Sequence, residues 1–205
     1  MKKILKLFSI LAGLAAITGI AIITLMPWMD RWGATDDEIA APLSGDELVP
    51  SPAITYTRAV TIKAKPEGIY PWLVQMGAGK GGMYSYSWFE TNILRCELVN
   101  TDRIHEEWQV LKAGDLVKMC PGDWGPPAYE VALMETNQAF VVGHQDNGVW
   151  LDIWQFILLP QNDGTTRLIT RSRDMKTGGM WNVIRPGQFI MERGMLLGIK
   201  ERAER

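Results

Sequence analysis

The chain has 205 residues, of which 47% are hydrophobic and 21% are charged, and its formal net charge is −2. This composition is typical of a folded globular protein and excludes wholesale disorder. The slightly acidic balance lacks the basic surface that phosphate backbones require, so we expect no nucleic-acid partner. Nine tryptophans suit a bulky core, an interface or a lined cavity.

Residues 1–29 are predicted to form a transmembrane anchor. Three lysines among the first six residues precede an apolar run that carries no charge until Asp30. An α-helix rises about 1.5 Å per residue, so about 20 apolar residues cross the ~30 Å hydrocarbon layer of a bilayer. Pro27 ends the run, and Trp28 lies where interfacial aromatic side chains are expected. The lipid bilayer is therefore a predicted partner.

A cleaved signal peptide is the alternative to a retained anchor. It requires a small-residue cleavage site, and residues 25–29 offer none. The lysines before the apolar run and the acidic residues after it predict a single-pass protein of the cell membrane. In this orientation the N-terminus is cytoplasmic and the domain is extracytoplasmic.

Residues 30–52 are predicted to be a linker or strap that lies on the surface of the following domain. Several prolines and acidic residues interrupt regular structure there. Thr35 and Glu38 have the spacing of a capping box for one helical turn.

Residues 53–205 are predicted to form one ligand-binding domain that opens with a strand and two helices. Residues 54–62 alternate as a strand, and residues 66–76 have the apolar stripe of a helix with proline in its first turn. A glycine-rich loop follows at 77–82. A short helix to about residue 94 is expected to turn Trp88, Phe89 and Ile93 inward.

Short segments with alternating hydrophobicity and turn signals come next. They lie near residues 116–119, 128–134, 139–143, 150–159 and 166–173. Residues 187–205 are predicted to form a long amphipathic helix that buries Phe189, Ile190, Met195, Leu196 and Ile199. Strands that follow one another in a run favour an antiparallel sheet, so the predicted fold class is α+β.

This order of elements resembles the helix-grip fold of the SRPBCC superfamily, which includes START, Bet v 1 and polyketide-cyclase-like proteins. Residues 31–50, 72–86 and 191–200 carry the resemblance most strongly, and they are closest to bacterial members of unassigned function. The resemblance implies an antiparallel sheet wrapped around a long C-terminal helix. It also implies a cavity between them for a lipid, a polyketide or another small hydrophobic ligand. It carries over no catalytic motif.

No motif in the chain predicts a cofactor, a metal site or nucleotide binding. Lys80 in the glycine-rich loop is followed by glycine rather than serine or threonine, so we interpret the loop as a helix end and not a phosphate loop. His105 is expected in a solvated loop. Neither histidine has a second ligand at metal-binding spacing. His144 ends a predicted strand, where a solvated position and an inward position that binds the ligand both stay open.

Charged side chains occur inside three apolar strands and need partners if they are buried. Asp152 shares its predicted face with Trp150, Trp154 and Phe156, and an inward Asp152–arginine pair could orient a polar ligand head. Arg171 and Arg173 either belong to such a pair or reach solvent at a rim. We expect Arg58 to reach solvent.

The candidate cavity residues are aromatic or polar side chains on the predicted sheet and helices: Trp72, Tyr84, Tyr86, Trp88, His144, Trp150, Asp152, Trp154, Phe156 and Arg171. Cys96 and Cys120 form no disulfide framework, and we expect two independent buried thiols. A disulfide between them is the alternative if the domain lies in an oxidising compartment.

Three functions are compatible with these patterns. The first is membrane-tethered binding or transport of a small hydrophobic ligand. The second is a cyclase or dehydrase that uses His144, Asp152 or a cavity tyrosine as acid or base. The third is a protein-interaction module with a filled core.

Overall fold

The computed structural model describes Lys6, Gly13, Gly19 and residues 21–122, 125–176 and 179–205, without the side chains of 179–183. Residues 21–30 are helical. The elements after them are α1 (Asp36–Ala40), β1 (Ile54–Ile62), α2 (Pro66–Val74), α3 (Ser87–Asn92), β2 (Leu116–Val117), β3 (Tyr129–Glu135), β4 (Ala139–Asp146), β5 (Val149–Pro160), β6 (Thr166–Asp174) and α4 (Gly179–Ala203). Short 3₁₀ turns occupy Asp46–Leu48 and Glu106–Trp108.

The six strands form one sheet in the order β1-β6-β5-β4-β3-β2, and every neighbouring pair is antiparallel. The predicted α+β class is confirmed. Strands β3, β4, β5 and β6 follow one another as hairpins. Strand β1, from the start of the domain sequence, pairs with β6. The first and last parts of the domain therefore meet on one edge of the sheet.

One face of the sheet packs against α2 and α4. Ile62, Phe140, Phe156 and Leu168 from the strands meet Leu196 of α4 in the larger core cluster, and all five side chains are fully buried. Burial of large aliphatic and aromatic side chains is the main favourable term in folding. This face also bounds the cavity described below.

The strap, residues 30–52, covers the opposite face. Leu43 packs with Ile157 and Ile169, and Val49 packs with Val141 and Ile153. The predicted capping box is present, because Glu38 N–H donates to Thr35 Oγ1 and Thr35 N–H donates to Glu38. Both sheet faces are therefore covered, and the strap is part of the packed domain.

Arginines at alternate positions of β6 fasten the strap. Arg171 donates to the carbonyls of Glu38, Ile39 and Ala41 at 2.8, 3.0 and 2.9 Å and to Asp46 at 2.8 Å. On the same face Arg167 binds both oxygens of Glu38, and Arg173 donates to the carbonyl of Val49. The planar guanidinium can satisfy several acceptors at once, as a lysine could not.

Several predicted elements are confirmed, with shifts at their ends. The strands at 54–62, 128–134, 139–143, 150–159 and 166–173 and the helix that starts at Pro66 are present. The C-terminal helix begins at Gly179, eight residues earlier than predicted, and contains Pro186. Ile190 in this helix is 50% exposed, so its predicted burial was wrong.

The predicted inward face of the helix near residue 90 was wrong for Trp88 and Ile93, whereas Phe89 lines the cavity described below. Trp88 and Ile93 are 69% and 55% exposed, whereas Glu90 is only 1% exposed. Helix α3 has six residues, fewer than two turns. So short a helix has no repeating apolar stripe, and neighbouring loops decide which side is buried.

Within the described residues, no helix combines the length and the apolar character that a membrane span requires. More than half of the predicted anchor, residues 1–29, lies outside the described residues.

Candidate functional site

A cavity of about 610 Å³ lies between the sheet, α3 and the N-terminal half of α4. Most of its lining is apolar and flexible, with Met83, Leu94, Leu98, Met119, Met191 and Met195 in the wall. Small-molecule pockets typically measure ~300–1,000 Å³ and are mainly apolar with a few polar groups. The volume and the lining both fit a small hydrophobic ligand.

One face of α4 supplies the helical side of the cavity. Ile184, Gln188, Met191 and Met195 follow each other at spacings of four, three and four residues and all line it. This spacing places them on one side of an α-helix. Methionine side chains are unbranched and polarisable and adapt to irregular ligands.

Two glycines in α4 allow the loop before α3 to approach the helix closely. A Cβ atom at Gly198 would lie 1.9 Å from the carbonyl oxygen of Tyr84, and one at Gly194 would lie 2.7 Å from the ring of Tyr86. Ser85 Oγ donates to the carbonyl of Met191 at 3.0 Å. The loop is thus held against the C-terminal half of α4, and the cavity lies towards the N-terminal half.

A disulfide between Cys96 and Cys120 forms part of the cavity wall, with the two Cα atoms 5.0 Å apart. The expectation of two independent thiols was therefore wrong. The sequence separation of 24 residues gave no sign of the pairing, because the chain after α3 and the chain after β2 become neighbours only in the folded domain.

Three of the side chains that line the cavity have a buried polar atom without a hydrogen-bond partner in the described part of the chain. These atoms are Glu90 Oε1, Trp154 Nε1 and Gln188 Oε1. The second carboxylate oxygen of Glu90 accepts a hydrogen bond from Asn100 Nδ2 at 3.1 Å. Burial raises the pKa of the Glu90 carboxyl, and the bond from Asn100 offsets part of the rise. Unpaired buried polar atoms are uncommon and call for an explanation.

Arg58 is buried beside the cavity, not at a solvent rim as predicted. Its side chain is 1% exposed, forms an ion pair with Glu192, and donates to the carbonyl of Met29 at 2.7 Å. Its guanidinium also lies 4.3 Å from the ring centre of Tyr56. Thr170 donates to the other oxygen of Glu192 at 2.5 Å. The charge that compensates Arg58 is that of Glu192 on α4, 134 residues away in sequence. The sequence of β1 alone could therefore not indicate it.

His144 pairs with Asp152, in place of the predicted Asp152–arginine pair. His144 Nδ1 lies 3.0 Å from both carboxylate oxygens, and its Nε2 lies 3.3 Å from the carbonyl of Pro127. The hydrogen bond to Asp152 raises the pKa of His144, and partial burial opposes this. Both ring nitrogens meet acceptors, so the protonated ring satisfies this site and has no free lone pair for a ligand.

The other predicted cavity residues are dispersed. Trp154 lines the cavity. Trp72, Tyr84 and Phe156 are buried core residues, and the hydroxyl of Tyr84 donates to the carbonyl of Trp72. Tyr86 and Trp88 are exposed.

Trp150 and Arg171 lie on the strap face of the sheet. A bulge interrupts the pairing of β4 with β5. His144 pairs with Asp152 and Gln145 pairs with Trp150, so Leu151 has no partner on β4. One extra residue reverses the alternation of the strand. Trp150 therefore packs with the Val49 cluster on the face opposite the cavity.

The predicted cavity residues did not include Glu90, Gln188, Glu192 and Tyr129, which line the cavity. The spacing of the cavity-lining residues on α4 is that of one helix face, and it was the pattern in the sequence that could have indicated them. Glu90 gave no signal, because an acidic residue on a six-residue helix is expected to be solvated.

A comparison with protein-family models finds no match, and neither does a comparison with curated proteins. Among solved structures, the Aha1 dimer from Colwellia psychrerythraea matches at 17% identity over 74% of this chain and 96% of that one, with a TM-score of 0.45. KanY matches at 11% identity over 74% and 98%, with a TM-score of 0.46. The Mesorhizobium loti protein MLL2253 matches at 16% identity over 73% and 96%, with a TM-score of 0.41. We draw no functional conclusion from these similarities.

Proposed function

We propose that this protein is a membrane-tethered member of the SRPBCC superfamily that binds or transports a small hydrophobic ligand. The observation that carries the proposal is the cavity of about 610 Å³ with its methionine-rich wall. A domain that served only as an interaction module with a filled core would have no need of such a space. Dry apolar cavities destabilise a fold, so a cavity of this size is best explained by a ligand.

Contacts at the start of the domain support a role at the membrane surface. Met29 and Asp30 end the helical stretch 21–30, and their partners are Arg58 and Arg185 of the domain. The ring of Trp28 lies 5.5 Å from that of Phe189 on α4. An anchor that ends there holds the cavity-lining half of α4 close to the bilayer, where apolar ligands concentrate.

The Cys96–Cys120 disulfide supports the extracytoplasmic placement of the domain. Structural disulfides persist in oxidising compartments and are rare in the cytosol. A C-terminal fusion to a reporter that is active only outside the cytoplasm tests this placement. We expect an active reporter; an inactive reporter on an expressed fusion would contradict the proposed orientation.

Native mass spectrometry of the full-length protein, extracted from its own membrane in mild detergent, tests the binding function. We expect a bound apolar molecule on the wild-type protein. Met119→Trp replaces a flexible side chain in the cavity wall with a bulky indole ring and should remove most of the bound ligand. Met175→Trp is the matched control, because Met175 is exposed and does not line the cavity. A wild-type protein that carries no ligand and binds no apolar dye would refute the proposal.

A second candidate function is a cyclase or dehydrase type of enzyme. The buried carboxyl of Glu90 favours it, because the raised pKa suits a general acid or base. The ligand identified on Glu90→Gln separates the two functions. A carrier should retain the same molecule as the wild type, whereas an enzyme should retain its unconverted substrate.

A further inference from the structure

The charged groups of the cavity are of one sign. Glu90 and Glu192 line it, and no lysine, arginine or histidine is among its described lining residues. Glu192 is already paired, since Arg58 and Thr170 bind its two oxygens. No ion pair involves Glu90 within the described residues, which leaves it as the acidic group of the cavity without a compensating charge.

An anionic ligand head does not fit such a cavity. A carboxylate or phosphate would lose its hydration on entering the cavity and would lie beside a carboxyl group. No cation among the described lining residues would compensate for the lost water. The guanidinium of Arg58, which contacts Glu192 of the cavity wall, is occupied by Glu192 and by the carbonyl of Met29. Within the described residues, the polar ligand head that the sequence suggested therefore has no cation to bind if it is a carboxylate.

The unpaired polar atoms indicate which neutral head would fit. Among the residues that the structure describes, Glu90 Oε1 and Gln188 Oε1 are acceptors without a donor, and Trp154 Nε1 is a donor without an acceptor. The amide of Gln188 is held by its Nε2, which donates to the hydroxyl of Tyr56 at 2.6 Å. A ketone or ester head can only accept, so it would leave Gln188 Oε1 and an ionised Glu90 without a donor. A hydroxyl group both donates and accepts.

We propose, on the basis of the binding function proposed above, that the cavity selects an uncharged hydrophobic molecule that ends in a hydroxyl group, and that Glu90 binds this hydroxyl. The pKa rise that burial causes at Glu90 is compatible with this role. A hydroxyl can donate to the ionised carboxylate or accept from the protonated acid, so it serves either state.

Displacement of the apolar dye N-phenyl-1-naphthylamine from the detergent-solubilised full-length protein tests this selectivity at pH 8. Three probes that share a ten-carbon chain are compared: decan-1-ol, methyl decanoate and sodium decanoate. The cavity-filled variant Met119→Trp measures partition into the micelle, and that background is subtracted. We expect decan-1-ol to displace the dye at a concentration at least about ten-fold lower than either other probe, because only it can donate a hydrogen bond to a buried acceptor.

Glu90→Met and Glu90→Gln test the residue. Methionine removes the polar group at similar size, and glutamine can keep the bond from Asn100 if the first variant folds poorly. We expect both to reduce the preference for decan-1-ol over methyl decanoate to less than about three-fold. Glu97→Met is the matched control, since Glu97 is exposed and does not line the cavity; it should keep the wild-type preference.

The outcomes separate this inference from the function on which it rests. Equal displacement by the three probes, tighter binding of decanoate, or an unchanged preference in both Glu90 variants would overturn the hydroxyl assignment and leave ligand binding intact. A wild-type protein that binds neither the dye nor any probe would overturn both.

Discussion

Arg58 of β1 and Glu192 of α4 form an ion pair whose side chains are 1% and 3% exposed. The pair joins the strand at one edge of the sheet to the helix that closes the cavity. Removal of one partner leaves an uncompensated charge in the interior, which typically costs about 3–5 kcal/mol. We therefore expect Glu192→Leu to lower the free energy of unfolding by roughly this amount in urea denaturation.

The double variant Arg58→Met/Glu192→Leu is the control for that loss. It removes both charges, so it should recover most of the stability lost by Glu192→Leu alone. The exposed pair Arg31–Asp36 is a matched surface comparison. Arg31→Met should change the free energy of unfolding by less than about 1 kcal/mol. Equal losses for the buried and exposed pairs would contradict the buried placement of Arg58.

Arg171 is expected to hold the strap on the sheet. Arg171→Met would leave the carbonyls of Glu38, Ile39 and Ala41 without their donor. We expect a loss of about 1–3 kcal/mol in stability and faster proteolytic cleavage within residues 30–52. Limited proteolysis followed by mass spectrometry locates the cut. Arg205→Met removes an exposed ion pair with Glu201 and should leave the cleavage rate unchanged.

The His144–Asp152 pair predicts a pH dependence of stability. Because the pKa of His144 is raised above its ordinary value of 6.5 in the folded protein, its contribution is fully present below pH 6.5. It is lost as the pH rises through the folded pKa. We expect the free energy of unfolding to fall over that interval and the His144 ring resonances to titrate there in NMR.

Asp152→Asn removes the charge that raises the pKa of His144, so the fall above pH 6.5 should flatten. Asp146→Asn, at an exposed position in the same hairpin, should keep the wild-type slope. An identical slope in wild type and Asp152→Asn would show that another group causes the dependence.

The Cys96–Cys120 disulfide should stabilise the cavity wall. It closes a loop with a sequence separation of 24 residues. A crosslink of this length typically contributes about 3 kcal/mol by restricting the unfolded chain. We expect the double variant Cys96→Ser/Cys120→Ser to lose about that much stability and to bind apolar dye less tightly. A thiol assay on the unfolded, unreduced wild-type protein should find no free thiol; two free thiols would refute the disulfide.

The strands and helices of the domain were largely predictable from the sequence. The alternation in β1, β3, β4, β5 and β6 and the apolar stripe of α4 repeat over several turns or pleats. A repeating pattern survives errors at single positions, because many side chains must agree on one buried face.

The composition of the site was decided by tertiary structure. Ten side chains were predicted to line the cavity, and of these Trp154 does so. A bulge of one residue turned Trp150 to the other face, and α3 was too short to show which side it would bury.

The sequence by itself determined the α+β order of elements, the alternation of the strands and the presence of a long C-terminal helix. Tertiary structure alone decided that Glu192 would neutralise Arg58 and that Asp152 would pair with His144. It also buried one carboxylate oxygen of Glu90 beside the cavity without a partner among the described residues. The physical reason is the distance along the chain over which each property is set. Periodicity is a local property, whereas the partner of a buried charge comes from a segment that approaches only after folding.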